Sequence, residues 1–377
     1  MAAAFARGGE LLPRPVLARC TGTRVGIGIR NGEEGMIVRS RAPLRLGLAG
    51  GGTDVSPFCD QFGGFVMNVT IDKFAYATLD GSPDGLVEFH AQDAGACERV
   101  DPHAVVADPG PLQLMKGVYL RICNDFLQGK RPAIRIRAHS DAPPGSGLGS
   151  SSTMVVALVT AFAEYFSLPL GEYEIAQLAY RIERVDLQLS GGKQDQYAAA
   201  FGGFNFMEFY DADRVIVNPL RIKEWIWSEL EAGLVLYFTG VSRASAKIID
   251  EQSRNIKEGK ASSLDAMHRL KVEASQMKEA LLRGDFERLA QVMQSGWEAK
   301  KLSASSISNP MIDEIEALAM RHGARATKVS GAGGGGFMMF LCDPAHRVDL
   351  VRALSGAGGT VFDTHFTHQG ATAWKIG

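Results

Sequence analysis

The spacing of apolar and polar positions divides most of this chain into strands and helices that follow one another without an internal repeat. Ile37-Val38-Arg39-Ser40 and Leu44-Arg45-Leu46 read as short strands, and Gly64–Leu79 as two more, separated at Asp72-Lys73. Leu112, Met115, Val118, Tyr119, Ile122 and Phe126 recur at helical spacing, which predicts an amphipathic helix over Leu112–Leu127. Ile134-Arg135-Ile136-Arg137 alternates like a half-exposed strand. Helices are predicted at about 150–166 and 172–187, then strands near 204–209 and 214–218. A boundary falls near Asn218–Glu231. Beyond it come the strand Leu234–Phe238, a helix-rich stretch to Arg321, and strands at Thr327–Val329, Phe337–Leu341 and Thr360–Phe366. Strands and helices that do not repeat as a strict βαβ series favour an α+β fold over a doubly wound sheet.

Residues 1–35 lack this patterning and carry Arg7, Arg14, Arg19, Arg24 and Arg30. They read as a disordered extension or a misassigned start with Met36 the true initiator; a transit peptide is the other reading. The rest divides into 36–220 and 221–377. With 377 residues, 46% of them hydrophobic, the chain can bury cores for two domains. A net charge of -2 argues against nucleic acid or an anionic membrane as partner, and no apolar run is long enough to span a bilayer. Five scattered cysteines suit the reduced thiols of a cytoplasmic protein.

Three glycine-rich segments carry the candidate chemistry. The middle one is Pro143-Pro144-Gly145-Ser146-Gly147-Leu148-Gly149-Ser150-Ser151-Ser152, followed at once by the apolar run Thr153–Val159. A glycine-serine turn that opens a helix is a ready phosphate site, because glycine lets the backbone come close and the first-turn N–H groups point at the anion. A serine hydroxyl there is also a hard ligand for a metal ion. The first segment, Ala49-Gly50-Gly51-Gly52-Thr53-Asp54-Val55, runs from a strand into a hydroxyl and a carboxylate. Thr53 and Asp54 are candidates to face a ligand or to cap a short helix over Val55–Gln61, and both can hold at once. The third, Val329-Ser330-Gly331-Ala332-Gly333-Gly334-Gly335-Gly336, has the letters of a dinucleotide-binding loop but is followed by the strand-like Phe337–Leu341. That context disfavours a nicotinamide-dependent oxidoreductase and suits a backbone floor packed under another loop. Walker-type and protein-kinase phosphate machinery is absent, as are paired-cysteine and His-x-x-x-His metal motifs.

In this order the three segments resemble those of the GHMP kinase superfamily, over a span from about Met36 to the end of the chain. Two local features, Arg45-Leu46-Gly47-Leu48-Ala49-Gly50-Gly51-Gly52-Thr53-Asp54 and Gly191-Gly192-Lys193-Gln194-Asp195-Gln196-Tyr197, are most similar to the branch acting on D-glycero-D-manno-heptose 7-phosphate. The resemblance implies a two-domain fold, with a ribosomal protein S5 domain 2-like N-terminal domain and a ferredoxin-like C-terminal domain, and an active site in the cleft between them. It implies ATP and Mg2+ as cofactors, with Pro144 to Ser152 cradling the nucleotide and Ser151 and Glu183 holding the metal. Asp195 would orient or deprotonate the acceptor hydroxyl and Arg45 would offset charge on the transferred phosphoryl group. Thr53, Asp54, Gly333 and Gly334 would contact the substrate. The implied reaction is a sugar 1-kinase step yielding a heptose 1,7-bisphosphate for nucleotide-heptose and surface-glycan synthesis, in a monomer or homodimer.

Galactokinases place Glu-His where this chain has Gly51-Gly52, which argues against galactose and leaves room for a longer exocyclic chain. A second, non-reacting phosphate on the acceptor would need its own cation. Arg243, at the Thr239–Ser245 strand-to-helix junction, and Lys193 are the candidates. Arg243 as a surface cation beside a serine-capped helix is the plainer reading of that junction. A fucokinase and a sugar- and ATP-binding sensor without turnover are the alternatives, the sensor disfavoured because a binding-only protein need not keep Asp195.

Overall fold

The computed structural model describes residues 35–241 and 245–376; the reading of residues 1–34 lies outside them. The larger of two sheets forms first in the chain. Its strands are β1 (Ile37–Ala49), β2 (Gly64–Gly81), β3 (Val87–Ala91), β4 (Ala96–Val100), β5 (Ile134–Ser140), β6 (Phe204–Phe209) and β7 (Val215–Pro219). Between them lie α1 (Phe58–Phe62), α2 (Gln113–Asp125), α3 (Ser150–Tyr165), α4 (Glu172–Arg181) and α5 (Gln194–Phe201). The remainder supplies α6 (Glu224–Gly233), β8 (Leu234–Phe238), α7 (Ser245–Lys257), α8 (Ala261–Arg283), α9 (Phe286–Lys301) and α10 (Pro310–Arg321). It closes with β9 (Ala324–Val329), β10 (Phe337–Cys342), α11 (Arg347–Ser355), β11 (Thr360–Phe362) and β12 (Thr372–Ile376). The large sheet runs β12-β1-β2-β5-β3-β4, with β6 and β7 continuing from β2; the small one runs β11-β8-β10-β9. Among the described strands only the β3–β5 pairing is parallel, as expected of an α+β rather than a doubly wound fold.

A register shift in β1 places the first functional side chain. Val38 and Ala42 enter a core shared with α2, α3 and α4. After the shift between Pro43 and Arg45, Leu44, Leu46 and Leu48 enter a second core shared with α8, α9, β8 and β10. An irregularity in a strand turns it over, so alternate side chains exchange faces. Arg45 is thereby brought to the side of α5 and the glycine-serine loop, where its guanidinium finds Asp195 and Gly147.

The sequence-based expectation of two strands over Gly64–Leu79 is corrected. β2 is continuous and changes partner along its length, pairing with β6 over Gly64–Val69 and with β5 over Ala75–Gly81. Asp72, at the change, has its N–H bonded to His365 O, so a polar segment is accommodated without ending the strand. The expected boundary at Asn218–Glu231 overlaps most of helix α6, and the expected strand Thr360–Phe366 stops at Phe362. The β3–β4 hairpin and β12 were not foreseen.

Candidate active site

The three glycine-rich segments meet around one cavity of about 320 Å3. Its walls come from both parts of the chain: Arg45, Asp54, Ser150 to Ser152, Glu183 and Asp195 from the first, Gln252, Lys300, Gly331 and Ala332 from the second. The middle and third segments touch backbone to backbone. A Cβ on Gly147, whose φ is +88°, would lie 2.4 Å from Ser330 O, so only glycine permits this approach. Ser330 Oγ donates to Gly147 O at 3.0 Å, and Phe337 N–H donates to Ser146 O at 2.9 Å. As expected, the third segment links antiparallel strands β9 and β10 and forms a floor for the second.

α3 starts directly on the cavity. Gly149 in the left-handed region precedes its first turn, no side chain caps it, and Ser150, Ser151 and Ser152 line the wall. Their roles differ. Ser150 Oγ donates to Pro143 O, and Ser152 Oγ accepts from Gln196 Nε2. Ser151 is exposed and faces the opening. Glu183 is 1% exposed, on a π-helical turn over Ile182–Asp186 that interrupts the helix expected across 172–187. Such a turn re-aims a side chain that a regular helix would carry past the site. Gln196 Nε2 donates to Glu183 Oε2, and Arg184 lies 3.6 Å from Oε1. One serine hydroxyl and one buried carboxylate are hard oxygen donors that fit Mg2+, which takes few protein ligands and keeps waters and phosphate oxygens.

Arg45 and Asp195 form the centre of the site. Both Nε and Nη2 of Arg45 reach Asp195 Oδ1, at 2.7 and 2.6 Å, while Nη1 donates to Gly147 O at 2.7 Å. Oδ1 is thus fully engaged. Oδ2 lies toward Gly149, where a Cβ would come within 3.0 Å of it. Among the described residues the carboxylate is held by one oxygen, and it presents the other beside the start of α3.

Asp54 lines the cavity, but its carboxylate is already saturated. Oδ2 accepts from the N–H groups of Lys193 and Gln194, and Oδ1 from Gly52 N–H and Gln194 Nε2. Asp54 therefore caps α5 from a distant loop and fixes Asp195, one residue into that helix. The cap needs Gly192, where a Cβ would sit 2.0 Å from Asp54 Oδ2.

Several expected contacts are redirected. Thr53 is fully buried; its hydroxyl bonds Gly50 O and Phe65 O and accepts from Phe65 N–H, so it staples the loop rather than facing a ligand. Lys193 turns its ammonium to Asp213 at 3.1 Å and Asp60 at 3.8 Å, outside the cavity wall. Gly333 packs on Ile307 and Gly334 N–H bonds Ile307 O, leaving Gly331 and Ala332 at the wall. Leu148 is a core residue, and Ser146 is buried beneath the loop. Arg243 lies outside the described residues.

Sequence reasoning missed Lys300, at the end of α9, and Gln252, on α7, both of which line the cavity. Lys300 Nζ donates to Gly331 O at 2.5 Å. Burial, with Arg45 nearby, pushes its ammonium down to about 8. Behind it Lys328, whose Nζ donates to Leu48 O, is pushed down to about 7, again mainly by burial and then by Lys300.

A helix start presented to an anion, a carboxylate with one free oxygen and a guanidinium beside it define a phosphotransferase site. The chain belongs to the GHMP kinases. Residues 113–203 match the GHMP kinases N terminal domain and residues 277–359 the GHMP kinases C terminal model. It is 49% identical to a D-glycero-alpha-D-manno-heptose 7-phosphate kinase of Campylobacter jejuni over 90% of its length and 99% of that protein's. It also superimposes on the crystal structure of a D-glycero-D-manno-heptose 1-phosphate kinase from Bacteroides thetaiotaomicron with a TM-score of 0.76. The identity there is 46%, over 90% of this chain and 99% of that one. A Lactococcus lactis galactokinase shares the fold at 16% identity, with a TM-score of 0.70 and coverage of 89% and 95%.

Proposed function

We propose that this chain is an ATP-dependent heptose phosphate kinase that phosphorylates the anomeric hydroxyl of D-glycero-D-manno-heptose 7-phosphate. The observation that carries the reading is the Arg45–Asp195 pair, with its unengaged Oδ2 beside the start of α3. In the step, the anomeric oxygen forms a bond to the γ-phosphorus while the bond from that phosphorus to the bridging oxygen breaks. The hydroxyl proton goes to Asp195 Oδ2, and ADP leaves with the bridging oxygen. Arg45 keeps the carboxylate oriented and lends positive charge to the phosphoryl group in flight. Catalysis is otherwise positioning, supplied by the first turn of α3 for the nucleotide phosphates and by the Asp54 cap for α5. Ser151 and Glu183 would hold Mg2+, which neutralises phosphate charge when bound.

The substrate comes from the two relatives, whose names place the existing phosphate differently, on carbon 7 in one and carbon 1 in the other. Gly52, on the cavity wall, adds no side-chain bulk there, which favours an acceptor with a long exocyclic arm. ADP release with each heptose monophosphate, followed by 31P NMR of the product, tests the reading. Turnover of the 7-phosphate with a new anomeric phosphorus signal is expected. Turnover confined to the 1-phosphate would reverse the direction, and turnover of neither would remove the heptose.

A further inference from the structure

Of the six charged side chains on the cavity wall, five are engaged. Arg45 pairs with Asp195, Arg184 approaches Glu183, and Asp54 is saturated by N–H donors. Lys300 is the exception. It is 4% exposed, and among the described residues no carboxylate lies within ion-pair distance of its ammonium, whose partner is the single carbonyl of Gly331. A buried ammonium without a counter-charge is costly unless a ligand supplies one.

The surroundings indicate where that ligand lies. A Cβ on Gly51 would be 3.7 Å from Lys300 Nζ and 3.8 Å from Gln194 Nε2, and one on Gly52 would be 3.7 Å from Gln252 Oε1. Three polar ends therefore converge over two glycines that contribute no bulk. The charged groups acting on Lys300 are Arg45, Asp54 and Asp195, with Lys328 behind. Gly51 lies on the loop that carries Asp54, and Gln194 Nε2 donates to Asp54 Oδ1, so Lys300 stands beside that loop. Gln252 donates its amide to Ser303 Oγ at 2.7 Å, and both ends of that amide lie within 3.8 Å of where a Cβ on Gly52 would stand.

We propose that Lys300, with Gln194 and Gln252 over Gly51-Gly52, forms the subsite for the acceptor's non-reacting phosphate and the hydroxylated arm that carries it. This rests on the reading of the chain as a sugar-phosphate kinase and names the cation that reading requires. It replaces Lys193, whose charge is spent on Asp213 and Asp60.

Two measurements test it. The first compares kcat/KM for heptose 7-phosphate and for unphosphorylated heptose in wild type and Lys300→Met. The preference for the phosphorylated sugar should collapse by about 100-fold, the scale of losing one partner of a buried charge pair. Equal losses on both sugars would overturn the proposal and move Lys300 to the transferred group. The second follows acetylation of Lys300 by mass spectrometry, with inorganic phosphate as the probe and no sugar. Phosphate should slow modification of Lys300 and leave that of the exposed Lys260, the internal reference, unchanged. Unchanged labelling of Lys300 would overturn the anion site. Should wild type turn over neither heptose, the functional reading falls and the acceptor subsite with it, and the labelling then decides only whether Lys300 binds an anion.

Discussion

Arg45 and Lys300 are both buried cations on the wall of one cavity, and they stand in opposite electrical states. Arg45 is met by a carboxylate and a carbonyl in fixed geometry before any ligand arrives. Lys300 has one carbonyl. A planar guanidinium with several donors is suited to orienting a carboxylate that must act on a proton, whereas a compact ammonium on a flexible stem is suited to receiving an anion. The neutralised pair is machinery that stays in place between turnovers. The unpaired charge is binding capacity held back for the substrate.

The harshest way to break this contrast is to strip Arg45 of its partner. Asp195→Asn should lower kcat by roughly 1,000-fold while ATP affinity is kept, since general-base positioning contributes on that scale. Undiminished turnover in a steady-state assay would remove Asp195 from the chemistry. The converse change gives Lys300 a partner: Gly51→Asp places a carboxylate beside it, in a position with ordinary contacts and no positive φ. The KM for the sugar phosphate should rise about 100-fold while that for ATP barely moves. An unaltered acceptor KM would place the phosphate elsewhere.

A pH series sharpens the contrast further. The folded-state pKa of Lys300, about 8, lies below its ordinary 10.5, so between those values the unfolded chain holds a proton that the folded chain lacks. Stability contributed by this residue is present above about 10.5, is lost as pH falls toward 8, and changes little below that. Denaturant titrations near pH 7 and near pH 10 should show wild type gaining a few kcal/mol relative to Lys300→Met, on the order expected from the linkage between folding and protonation. Parallel curves would mean that Lys300 titrates normally. The smallest effect is expected at Lys193. Lys193→Met should change the acceptor KM by less than about 3-fold while lowering the melting temperature, because its ion pairs are structural.

The loop of Pro143 to Ser152 was legible because its chemistry is local: glycines, serines and a following apolar run specify a turn and a helix start wherever they occur. Resemblance pointed to Arg45, Glu183 and Asp195, and the structure sets all three on the cavity wall, with Glu183 on a π-helical turn that the sequence does not announce. Lys300 was not, since Glu298-Ala299-Lys300-Lys301 reads as the polar end of a helix. A signal did exist. Leu289, Met293 and Trp297 form the buried stripe of α9, and Lys300 continues it at the next helical step, whereas Lys301 turns outward to Glu298. Thr53 misled for the opposite reason: nothing in a sequence says whether a loop hydroxyl faces a cavity or its own backbone. The change of partners along β2 depends on strands far away in the chain, which local patterning does not register.

The pairing of β12 with β1, which sets Ile37 opposite Ile376, has a consequence for how the molecule is made. The strand that carries Arg45 is synthesised long before the strand that covers its outer edge. Until Thr372–Ile376 arrives, that edge presents unsatisfied backbone groups to any other extended chain nearby. A pairing between segments so far apart in the chain must close a long loop before it is rewarded, which is the kind of contact that slows assembly and leaves an edge open to other strands meanwhile.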